Sequence, residues 1–215
     1  MAYMDILKSK HLNGWSLFYW IAGINSAAVI AYMSTQDLSL PTGISEMIQM
    51  SVRCTVPLLF LAFATSAMAV LFPGTFTQWL LRNRRSIGLS YAAAMAWQLF
   101  FILWMWTGHW EYYTGEVYLL GDIIFQVPGY LTILAMTITS FHPVRRRMSL
   151  MQWRVLHKMG IYFLWFILVA TYYYELTYYG DIQIIDYIFL AAGVLAYFMR
   201  VAAWGRLRVM RAAQA

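Results

Sequence analysis

Six apolar stretches limit the fold more than any other feature, because each approaches the roughly 20 residues that a helix needs to cross the hydrocarbon core of a bilayer. They cover residues 15–33, 54–72, 87–106, 123–141, 156–174 and 184–203. Turn formers separate them: Ser39, Pro41 and Gly43 after the first, Pro73 and Gly74 after the second, Pro143 before an arginine run, and Gly180 after the fifth. The expected fold is an all-α integral membrane protein, one six-transmembrane-helix bundle filling residues 1–215. Composition agrees: 62% of the chain is hydrophobic and 11% charged, against about 25% charged in a soluble domain. A single core of this size cannot hide so much apolar surface from water, which excludes a soluble enzyme. Stretch 15–33 follows two lysines as a signal peptide would, but it exceeds the usual apolar region of about 7–15 residues and reads as a retained helix. Cys54, the one cysteine, excludes an internal disulfide and a cysteine metal cluster.

The charges sort by loop. With the amino terminus inside, the inner segments hold every one of the 15 Lys and Arg except Arg53. They include Lys8, Lys10, Arg82, Arg84, Arg85, the run Arg145 to Arg147, Arg154, Lys158, Arg200 and Arg206. The acids fall on the other side: Asp37, Glu46, Glu111, Glu116, Asp122, Glu175, Asp181 and Asp186, with only Asp5 inside. This is the positive-inside pattern, and it predicts a multi-pass membrane protein with both termini cytoplasmic. The net charge of +6 is thereby explained by anchoring of loops to anionic headgroups of the lipid bilayer, and no nucleic-acid partner is expected.

Aromatic residues gather at the predicted outer face, with Trp104, Trp106, Trp110, Tyr112, Tyr113 and Tyr118 at one turn and Tyr172, Tyr173, Tyr174, Tyr178 and Tyr179 at another. An interfacial aromatic belt accounts for them, since such rings carry an apolar body and a polar tip. The sharper reading is a docking surface for a quinone or for another membrane subunit. Gly23 with Ala27, and Ala62 with Ser66, are small pairs at helical spacing that suit close helix contact.

Polar groups within the bilayer are where function is sought first. His11 and His109 read as wetted interface residues, whereas His142 ends the fourth stretch and His157 opens the fifth. Gln98 sits near the middle of the third, about 20 Å from Arg85 at 1.5 Å per residue, and is expected to face the bundle and bond to a neighbouring helix or buried water.

Three segments occur in order: Arg84-Arg85-Ser86-Ile87-Gly88-Leu89, Tyr130-Leu131-Thr132 through Thr139-Ser140, and Trp153-Arg154-Val155-Leu156-His157. Together they resemble the ferric-reductase-like transmembrane domain family, nearest to the haem-binding membrane subunits of bacterial periplasmic methionine-sulfoxide reductase systems. The resemblance implies electron transfer through b-type haem held by histidines of the third and fifth helices, fed by cytoplasmic flavin or by quinone. It also implies a histidine ten residues after Gly88, where this chain has Gln98, and one thirteen residues after His157, where it has Ala170. Neither a carboxamide nor a methyl replaces an imidazole on low-spin haem iron. No mid-membrane haem is therefore expected, and Trp97, Phe100, Phe163, Trp165, Phe166 and Tyr172 are candidates to fill the space.

His157 lies about 20 Å from the level of Ala170, so it could hold only a haem b at the cytoplasmic side, with His142 as the available second imidazole. The plainer reading is that His157 caps the helix entry or meets a lipid phosphate. The chain also lacks a glycine-rich dinucleotide fingerprint. The reading preferred on these grounds is a haem-free accessory or structural subunit of a larger membrane complex, without catalytic or metal-binding residues of its own. Its alternative is a transmembrane electron-transfer protein, linked to haem b, quinone or flavin, that uses one unusual haem near His157.

Overall fold

The computed structural model describes residues 7–117, 120–178 and 183–214, apart from the side chains of 116–117 and 120–123. Asp5, Tyr118, Tyr179, Gly180 and Asp181, with the side chains of Glu116 and Asp122, lie outside the described residues. Six long helices are described: α1 (Gly14–Met33), α2 (Pro41–Leu71), α3 (Thr75–Gly108), α4 (Leu120–Ile138), α5 (Leu150–Tyr178) and α6 (Ile184–Ala212). No strand occurs among the described residues. Five of the helices, all but α4, are long and apolar enough to cross a membrane, and the described apolar part of α4, Ile124–Ile138, is shorter. The protein is an all-α, multi-pass membrane protein.

Two helices begin well before the apolar stretches that announced them. α2 starts at Pro41 and α3 at Thr75, so Pro41 and Gly43 do not form a turn as expected. Proline is tolerated at the first helical position, where its missing N–H would be unsatisfied anyway. Gly43 lies buried inside α2, where a Cβ would collide with the Asp37 backbone. Pro73 and Gly74 do break the chain, between α2 and α3, whose 31 and 34 residues run antiparallel for most of their length.

α2 is the centre of the bundle. It packs on α3 and α6, α1 leans mainly on α3, and α5 joins through α6 and α4. Direct backbone contact between α3 and α5 is at most sparse. The core gathers around Phe63, Leu59, Val56, Leu80 and Ile87, with a second cluster of Ile44, Met47, Phe101 and Met105. Large apolar side chains such as Tyr19, Trp20, Ile24, Phe198 and Ile184 remain exposed, as a lipid-facing surface requires. Gly193 permits the tight crossing of α6, because a Cβ there would stand 2.6 Å from Val169 and 2.8 Å from Phe60.

Polar bonds close both ends of the bundle. At the basic end Asn83, 1% exposed, accepts from the Gly14 N–H at 2.9 Å and donates to Asn13 Oδ1 at 2.9 Å. Gly14 has φ +61°, a left-handed conformation that glycine takes without steric cost. Trp79 Nε1 donates to Leu12 O at 2.9 Å, and Arg206 reaches Leu71 O at 3.0 Å. At the other end Arg53 lies 4.0 Å from Asp186, which also accepts from the Gln183 N–H at 3.0 Å.

The aromatic belt is less uniform than expected. Trp106, Trp110, Tyr173 and Tyr178 are exposed, but Tyr113 and Tyr172 are buried core residues. Gly23 and Ala27 are exposed, and a Cβ at Gly23 meets nothing within 4 Å. That pair therefore makes no close helix contact among the described residues, whereas Ala62 is buried.

Candidate functional site at the basic end

Gln98 is half-buried on α3, and its Oε1 accepts a 2.8 Å hydrogen bond from the Tyr130 hydroxyl on α4. The expectation that its amide bonds to a neighbouring helix holds, because an unmatched amide in hydrocarbon costs several kcal/mol. Ala170 is half-buried on α5.

The six expected space-fillers are spread over different faces of the bundle. Trp97 donates to Ser26 on α1 at 3.0 Å. Trp165 stacks between Phe63 and Tyr197, at 5.4 and 5.0 Å, and donates to Gly193 O at 2.9 Å. Tyr172 packs on Phe189 of α6. Phe100 and Phe166 are exposed, and Phe163 lines an apolar groove of about 720 Å³ beside α4. Aromatic content predicted filling, but the rotation of each helix about its axis decides which face a ring occupies.

A cavity of about 610 Å³ opens instead at the basic end. α3 supplies Arg84, Arg85, Gly88, Tyr91 and Ala92, and α5 supplies Trp153, Arg154, His157, Lys158, Ile161 and Leu164. Ile133, Met136 and Thr137 of α4 and Leu59 and Ala62 of α2 complete the apolar wall. Arg200 from α6 and Arg145 from the short helical turn His142–Arg145 close the rim. Among the described residues no carboxylate lines the cavity.

His157 is fixed in this wall. Its ring lies 4.5 Å from that of Trp153, and its Nε2 lies 3.1 Å from Thr139 Oγ1. The hydroxyl of Thr139 also donates to Ala135 O at 2.7 Å. The contact ties the ring to the turn that follows α4 and occupies Nε2.

His142 is exposed at the start of its turn and does not line the cavity. His157 and His142 are therefore not brought together there. Among the described residues no group of three or more His, Cys, Asp or Glu could hold a metal ion. Gln98 and Ala170 offer no imidazole, and the cavity wall holds a single one among the described residues, His157, where a low-spin b-type haem takes two.

The cations are partly committed to the protein itself. Arg84 donates to Ala62 O at 3.2 Å, and Arg200 donates to Phe63 O at 3.1 Å. The Arg200 guanidinium also lies 4.5 Å from the ring centres of both Phe63 and Tyr162. Arg145 covers Trp153 at 4.6 Å, and Arg85 stands 5.6 Å from Trp15. Arg154 and Lys158 are exposed, with no hydrogen-bond partner among the described residues. The sequence lists all of these cations, but α3, α5 and α6 carry them far apart in the chain. Only packing collects them. Compared with protein-family models, curated proteins and solved structures, the chain has no match.

Proposed function

We propose that this chain is a haem-free, six-pass protein of the ferric-reductase-like kind, with cytoplasmic termini in a bacterial inner membrane, serving as an accessory subunit of a larger membrane complex. One observation carries the reading: His157 is the single imidazole in the cavity wall among the described residues, and its Nε2 is engaged by Thr139 at 3.1 Å. Gln98, committed to Tyr130, adds support at the other expected ligand position. For the sixth pass, α4 has 19 residues, about 28 Å at 1.5 Å per residue. The inside placement of the termini rests on the distribution of Lys and Arg. Exposed Trp106, Trp110, Tyr173 and Tyr178 offer a partner subunit an aromatic face.

The alternative is an electron-transfer protein using one haem, a quinone or a flavin near His157. It draws support from the cavity beside that residue. A pyridine haemochrome assay on purified protein separates the readings. No b-type haem is expected, and stoichiometric haem would return electron transfer to first place.

A further inference from the structure

We propose that the basic-end cavity is a built site for an anionic phospholipid of the cytoplasmic leaflet, its phosphate among the cations and an acyl chain on the apolar wall. The site does not depend on the accessory-subunit reading, only on the basic end facing the cytoplasm. Arg84, Arg85, Arg145, Arg154, Lys158 and Arg200 surround one cavity that no carboxylate lines among the described residues. Six like charges beside an apolar wall repel one another more than they would in bulk water, and a phosphate relieves that repulsion.

The cations divide their tasks. Arg84 and Arg200 are tethered to successive α2 carbonyls, those of Ala62 and Phe63. Those bonds hold two guanidinium groups at the rim and leave exposed Arg154 and Lys158 to meet a headgroup. Basic pockets between membrane helices on the cytoplasmic side are suited to such headgroups.

The rest of the wall specifies an amphiphile. Gly88, Ala92, Ile133 and Leu164 give it an apolar surface. A Cβ added at Gly88 would meet nothing within 4 Å, so space beside this glycine is open to a chain of methylenes. A soluble phosphate would satisfy the cations and leave that surface wet. A neutral lipid would cover the surface and leave the cations uncompensated. An anionic lipid does both.

The full chain, delipidated in neutral detergent, tests this by native mass spectrometry and thermal unfolding with three probes: dioleoylphosphatidylglycerol, dioleoylphosphatidylcholine and inorganic phosphate. One phosphatidylglycerol should be retained per chain and raise Tm, and neither other probe should match it. Two variants of opposite kind report on the site. Arg154→Gln with Lys158→Gln should weaken phosphatidylglycerol binding by about tenfold or more, since each cation near anionic lipid is worth about 1 kcal/mol. Gly88→Leu keeps every charge and fills the open space, and it should also abolish retention. Arg146→Gln with Arg147→Gln, outside the cavity, should leave binding within twofold. Equal retention of the two lipids, protection by inorganic phosphate alone, or unchanged binding in both cavity variants would overturn the proposal. Failure here leaves the haemochrome result standing, and haem bound at Gln98 and Ala170 would leave this result standing.

Discussion

Nε2 of His157 and Oγ1 of Thr139 are hydrogen-bonded across 3.1 Å, joining the start of α5 to the end of α4. Thr139→Val, close in shape, removes the hydroxyl and leaves a partly buried imidazole nitrogen unpaired, which should cost about 1 kcal/mol. Adding His157→Phe removes the orphaned nitrogen. The double variant should therefore lose less stability than the sum of the single losses, as measured by thermal unfolding in detergent. Strict additivity would mean that the bond contributes nothing.

Arg53 is the exception to the charge distribution, and the fold gives it a partner in buried Asp186. Arg53→Met should destabilise the protein by about 1–3 kcal/mol, because the carboxylate stays buried without its cation. Asp186→Asn in that background should recover part of the loss. Chemical denaturation of the four proteins of the cycle checks the sign. A stabilised Arg53→Met variant would contradict the pairing.

Two glycines should respond oppositely to alanine. Gly193→Ala drives a methyl into Val169 and Phe60 and should lower stability by about 1–3 kcal/mol, with Val169→Ala restoring part of it. Gly88→Ala enters open space and gains the helical preference of alanine, about 0.5–1 kcal/mol. Comparison of melting temperatures decides both.

Two hydrogen bonds from Ser39, the hydroxyl at 2.6 Å and then the amide at 3.0 Å, hold the Asp37 carboxyl below the usual carboxylate range. A depressed folded-state pKa stabilises the fold above the unfolded pKa, and that contribution is lost as pH falls through the folded value. Ser39→Ala should raise the Asp37 pKa in an NMR titration and shrink the acid-side loss of stability. An unmoved titration would refute the role of Ser39.

The topology is testable with single cysteines in a Cys54→Ala background. A membrane-impermeant thiol reagent applied to intact cells should label a cysteine near His109 and spare one near Arg146. Equal labelling at the two positions would overturn the assignment of sides.

The amino-acid sequence by itself determined that this chain is helical and belongs in a membrane. Lipid exposure rewards apolar length wherever it lies in the chain, and Pro73 with Gly74 breaks a helix without help from distant residues. It could not show that α2 starts at Pro41 and α3 at Thr75, because polar helical turns beyond the apolar stretches are held by packing as much as by composition. The engagement of Gln98 was legible as a requirement, while its partner Tyr130 was not. Tertiary structure alone decided the Asn13–Asn83 clasp, the bond between His157 and Thr139, the outward turn of Phe100 and Phe166, and the gathering of six cations around one cavity. Each of these depends on the rotation and relative depth of two or more helices. Those quantities are set by interlocking side chains such as Gly193 against Val169 and Phe60, between residues remote in sequence.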